Sequence, residues 1–83
     1  MPTVAIVDGV EIVFYVDEHP PPHFHTIFAE HRASIDIETL AVVNGSLPTS
    51  RYKAVKDWAE ARRQELYAAW YTARKKRKPG RIA

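Results

Sequence analysis

Hydrophobic residues change their period once along this chain, and that change sets the fold class. Up to residue 43 they alternate. Val10, Ile12, Phe14 and Val16 share one side of an extended segment, and Glu11, Val13, Tyr15 and Asp17 share the other. That is the period-2 pattern of a half-buried strand. After Pro48 the spacing becomes three and four. Tyr52, Val55, Trp58, Ala59, Leu66, Ala69, Trp70 and Ala73 fall on one stripe, as in an amphipathic helix. The expected fold is α+β, an antiparallel sheet with a helix on its apolar face.

Turn chemistry divides the first half. Residues 4–7 and 10–16 flank Asp8-Gly9, a dipeptide that tolerates positive φ and favours a two-residue hairpin. The "HPPP" of residues 19–22 cannot continue a ladder, because proline lacks an N–H and restrains the residue before it. A short polyproline II connector is expected there. Residues 23–29 and 32–37 read as a second hairpin around Glu30-His31, with a turn at Ala29-Glu30 as the alternative register and His31 as a turn residue. A short strand at 41–43, closed by Asn44-Gly45, completes a four- or five-stranded β-meander.

One long C-terminal helix over 48–75 is expected to cover it, with Pro48 in the first turn and Ser46 or Thr49 as cap. Residues 1–75 are then a single domain, 1–47 sheet and 48–75 helix, followed by a basic flexible tail at 76–83. A helix of roughly 26 residues is about 40 Å long at ~1.5 Å per residue. A strand of about seven covers only ~23 Å. The last turns, with Tyr67, Trp70 and Tyr71, should therefore overhang the sheet and meet another subunit or a partner chain.

The chain has no cysteine, which excludes disulfides and zinc–thiolate sites. No apolar run approaches the roughly 20 residues that span a membrane. The start, "MPTVAIVDGV", carries no basic leader, so the cytoplasm is the expected location. Charge is divided unevenly. Residues 1–47 hold one base and seven acids, and residues 48–83 hold eleven bases and three acids. The two halves can attract each other, or the basic half can meet an anionic partner.

Both registers of the second hairpin put Phe24 and Phe28 on the helix side. Both put His23, His25, Ser34 and Asp36 together on the other side. Three readings of this face stay open. His23 and His25 can serve as general acid and base, oriented by Asp36. His19, His23, His25 and Asp36, or Glu38 in its place, can hold a divalent zinc, iron or manganese ion. Cross-strand His–Asp pairs can also be purely structural. No other cofactor is implied.

On the helix, Lys56, Arg63, Tyr67 and Arg74 follow one another at offsets of 7, 4 and 7, a line that "RKKRK" at 74–78 extends. Cations interleaved with an aromatic suit a phosphate backbone. A solvated face that complements the helix dipole is the plainer reading. Arg62 lies inside the apolar stripe and is expected to snorkel. If the chain cleaves RNA, Arg62 or Arg63 is the candidate to hold phosphate.

His19, Pro21, Pro22, His23, Phe24 and His25, then Ile35-Asp36-Ile37, then Gly45, Leu47 and Pro48, and finally Trp58-Ala59 form a series of motifs over nearly the whole chain. In this the chain resembles the domain-of-unknown-function 4160 family of small bacterial proteins. It departs from that pattern with Glu18 for Asp, Pro20 for Asn, and Leu40 where glycine is frequent. The resemblance implies no established activity. It implies a toxin–antitoxin-type module that works with a protein partner, or as a homo-oligomer through the C-terminal helix, with nucleic acid as a further candidate partner. The alternatives are a metal-binding module built on the "PPPHFH" segment and a non-catalytic interaction domain. Whether the chain is an enzyme is left open.

Overall fold

Asp8 and Gly9 both adopt positive φ, 51° and 81°. This is the type I′ geometry of a two-residue hairpin, which these residue types tolerate. The turn joins β1 (Thr3–Val7) to β2 (Val10–Val13). The computed structural model describes residues 3–15 and 19–82. The faces read for Val16 and Asp17, and the carboxylate of Glu18, lie outside the described residues. Arg51 ties the hairpin down: its Nη1 lies 2.7 Å from Asp8 Oδ2 and donates to the Asp8 carbonyl at 3.1 Å.

β3 (His23–Phe28), β4 (His31–Asp36) and β5 (Val42–Gly45) complete a five-stranded antiparallel sheet in the order β1-β2-β3-β4-β5. The second hairpin turns at Ala29-Glu30, with Ala29 at φ 52°. That is one residue before Glu30-His31, and it pairs His25 with Ser34 and His23 with Asp36. It is the second of the two registers read from the sequence. His31 opens β4 and stacks on Phe28. β5 runs through Asn44-Gly45 instead of stopping before them. Gly45 sits at φ 75°, and a Cβ there would run into the Arg32 carbonyl oxygen. That oxygen is backbone and cannot swing aside, so the position demands glycine. Between the Ser34–Asn44 and Ile35–Val42 pairs, Val43 is one residue too many, a β-bulge.

The C-terminal half corrects the single long helix. α1 (Thr49–Glu60) and α2 (Arg63–Arg74) are separate, and Arg62, at φ −132°, breaks the helical path between them. The reason is size. A straight helix through both would be about 40 Å long, whereas the molecule's longest extent is 32 Å. Folding back lets both halves of the stripe bury themselves. Val55 and Ala59 from α1, and Leu66, Ala69, Trp70 and Ala73 from α2, pack with Val4, Val10, Ile12, Phe14, Phe24, Ile35, Ile37 and Leu40. Trp70, expected to overhang the sheet, is 1% exposed. The overhang does not exist, and burial withdraws Trp70 from any contact with a partner. Tyr71 remains 53% exposed.

Arg62 closes the break. Its Nη1 donates to the Trp58 carbonyl at 3.0 Å and its guanidinium lies 5.2 Å from the Trp58 ring centroid, a cation–π contact with a packed stem, as snorkelling implies. Within the stretch expected to be a flexible tail, Ile82 packs against the core and its N–H donates to the Val4 carbonyl at 2.8 Å. Among the described residues no helix is long and apolar enough to cross a membrane.

Candidate functional site

Both helices cover one face of the sheet, and alternation sends a different set of side chains to the other. His23 and His25 are i, i+2 on β3, so both point away from the core that holds Phe24. Their ring centroids are 4.9 Å apart in an edge-to-face contact, and Tyr15 meets His25 in the same manner at 4.5 Å. Val13, beside His25 on this face, is fully buried, so the neighbouring floor is apolar.

His23 Nδ1 lies 2.7 Å from the Pro21 carbonyl oxygen. A carbonyl only accepts, so Nδ1 carries the hydrogen and the neutral ring keeps its lone pair on Nε2. The proline connector thus fixes the tautomer of the histidine that follows it. His25 Nδ1 lies 3.2 Å from Ser34 Oγ, its partner across the ladder.

Two depressions adjoin on this face. One, of about 210 Å³, is bordered by Tyr15, His25, Ile27, Arg32, Ser34 and Asn44. The other, of about 290 Å³, is lined by Pro21, His23, Ser34, Asp36, Val43 and Asn44. They share Ser34 and Asn44 and form one shallow trough over β3, β4 and β5. Each lies below the ~300–1,000 Å³ of a pocket that engulfs a small molecule. An extended ligand lying across the sheet fits this shape better.

Asp36 stands opposite His23 in the register, yet its Oδ1 accepts from the backbone N–H of Glu38 at 2.8 Å and of Thr39 at 2.9 Å. That oxygen caps the β4–β5 turn, as in an Asx turn. The metal set His19, His23, His25 and Asp36 is not assembled. Among the described residues no group of three or more histidine or carboxylate side chains could hold an ion, and one oxygen of the Asp36 carboxylate, Oδ1, is held by the chain's own N–H groups.

The line Lys56, Arg63, Tyr67 and Arg74 is interrupted by the break between α1 and α2. Lys56 is exposed. Arg63 Nε donates to the Ile37 carbonyl at 3.2 Å, and Tyr67 Oη donates to Glu38 Oε1 at 2.5 Å. These two clamp α2 onto the β4–β5 turn. The hydrogen bond to Glu38, with burial and the charges of Glu38 and Asp36, pushes the Tyr67 phenol up to about 12. Arg74 lies 5.3 Å from the centroid of the Trp70 ring.

Tyr15, Arg32 and Asn44 were not singled out from the sequence. Alternation already placed Tyr15 on the open face. Arg32 was hidden behind the uncertain turn, and Asn44 behind its assignment to the end of β5. No curated protein and no solved structure matches the chain. A family model described as a domain of unknown function, DUF4160, matches residues 9–71, a span that contains every residue of the trough, and on that match the chain belongs to the DUF4160 family.

Proposed function

We propose that this protein is an RNA-directed module of toxin–antitoxin type, acting in the cytoplasm with a protein partner, whose working surface is the open face of the sheet. The observation that carries the proposal is the His23–His25 pair, 4.9 Å apart, at the centre of a trough that no helix or strand among the described residues covers.

RNA brings its own nucleophile, the 2′-hydroxyl, next to every phosphate. Its cleavage needs a base to take that proton and an acid to protonate the departing oxygen. His23 suits the base, because its Nδ1 hydrogen is committed to Pro21 and Nε2 keeps the lone pair. His25, in its protonated form, suits the acid that delivers a proton to the 5′-oxygen as the 2′-oxygen bonds to phosphorus. Arg32 borders the same trough and suits the phosphate. Tyr15 borders the same depression and supplies an aromatic ring on which a base can stack. Lys75, Lys76, Arg77, Lys78 and Arg81 are exposed and attract a polyanion without reading it. No metal is required.

The test is cleavage of a single-stranded RNA by protein purified without a histidine tag. The wild type should give products with cyclic phosphate ends, and His23→Ala and His25→Ala should each lower the rate by about 10²–10⁴-fold while keeping the wild-type melting temperature within a few degrees. Growth arrest on expression should follow the same pattern. No cleavage by the wild type, or cleavage indifferent to both substitutions, overturns the proposal.

A further inference from the structure

A regular strand sends consecutive side chains to opposite faces. Val43 and Asn44 are consecutive, yet both line the depression that contains His23. The bulge at Val43 is what makes this possible. It keeps Val43 59% exposed at the edge of that depression, with Pro21 as a second apolar residue of the lining and Asp36, Asn44 and Ser34 as polar ones. A slot with apolar sides and a few polar groups, about 290 Å³ in volume, has room for one flat ring system and not for a whole oligonucleotide.

The polar groups select among bases. Asp36 Oδ1 is used by the Glu38 and Thr39 N–H groups, which leaves Oδ2 as an acceptor. A carboxylate only accepts, so it favours an edge with adjacent donors. Guanine alone of the four RNA bases presents two, N1–H and N2–H, beside the O6 acceptor that an Asn44 amide can meet. Adenine and cytosine present a ring-nitrogen lone pair where the carboxylate would lie. Uracil has one donor between two carbonyls.

We infer that the bulge of β5 and the end of β4 form a guanine-selective base slot, with Asp36 and Asn44 as the specificity residues and Pro21 and Val43 as its apolar sides. The inference deepens the reading of the open face as an RNA surface: it puts the base 5′ or 3′ of the scissile bond in the His23 depression and leaves the adjoining one, with Arg32, for phosphate.

The experiment is a titration with guanosine, adenosine, cytidine and uridine monophosphates, one at a time, followed by amide chemical shifts of the intact chain. Guanosine monophosphate should shift Val43 and Asn44 and bind roughly 10-fold more tightly than adenosine monophosphate, the effect of one good polar pairing. Asp36→Asn keeps an Oδ1 to accept from the turn but replaces the second acceptor by a donor, and should abolish the preference with the fold's spectrum unchanged. Asn44→Ala should weaken it. Equal response to all four nucleotides, no response at Val43 and Asn44, or a guanosine preference that survives Asp36→Asn overturns the inference. RNA cleavage without base preference would sink the slot alone. Guanosine selectivity without cleavage would sink the catalytic reading alone.

Discussion

At the scale of single residues, Tyr67 and Leu40 carry the clearest consequences. Tyr67 donates to Glu38, and its phenol is pushed up to about 12 from 10.0. A group with a raised folded-state value contributes stability that is complete below its unfolded value of about 10 and is lost as pH climbs through about 12. Ultraviolet titration of the intact protein should therefore find one tyrosine ionising well above the ordinary range. Tyr67→Phe should delete that late step, and Glu38→Gln should bring it back towards 10. A late step that persists in Tyr67→Phe contradicts the assignment.

Leu40 illustrates a balance of magnitudes. It holds φ 61°, at a cost of about 1–2 kcal/mol for a side chain in the left-handed region. It is also 1% exposed, and a buried leucine contributes about 2–5 kcal/mol relative to alanine. Burial outweighs strain, which is a physical reason for leucine to stand at this left-handed position. The histidines were legible from alternation alone, because either register of the hairpin gives the same faces. The capping role of Asp36 was not, since it depends on which backbone N–H groups the turn after Asp36 turns inward.

At the scale of elements, the sheet was readable nearly strand by strand and the helix was not. Asp8-Gly9 is a local signal that acts where it stands. The prolines precede β3 without joining a strand, with Pro20-Pro21 cis and so not in the polyproline II form expected. Asn44-Gly45 lies inside β5 instead of closing it. Nothing local marks the break at Arg62: "AEARRQE" contains neither proline nor glycine, and the apolar stripe keeps its period across it. Only the shortness of the sheet, a tertiary fact, turns one helix into two.

The consequence falls on Trp70. As a core residue it should behave as one: Trp70→Ala should cost about 3–5 kcal/mol, a large part of the roughly 5–15 kcal/mol that holds a small domain together. Urea denaturation is the check. A melt shifted to much lower urea is expected, and a Trp70→Ala protein as stable as the wild type contradicts this packing. The sheet edge at β5 is blunted by its four-residue length and its bulge, and the same bulge aims Val43 into the trough.

At the scale of the whole molecule, the fold separates two tasks. One face of the sheet, with both helices on it, holds the chain together. The other carries His23, His25, Tyr15, Ser34, Arg32 and Asn44, and among the described residues no helix or strand is laid across it. The acidic and basic halves of the sequence meet in the Arg51–Asp8 ion pair, and Arg63 and Tyr67 clamp α2 onto the β4–β5 turn, so part of the basic helix flank is spent inside the molecule. In the proposed reading an anionic partner meets the open face and the exposed cations after Arg74. The most direct test is to map amide chemical shifts while adding a short single-stranded RNA. Changes concentrated at His23, His25, Ser34 and Asn44 are the predicted result. Changes confined to α1 and α2, with those four residues silent, would contradict it.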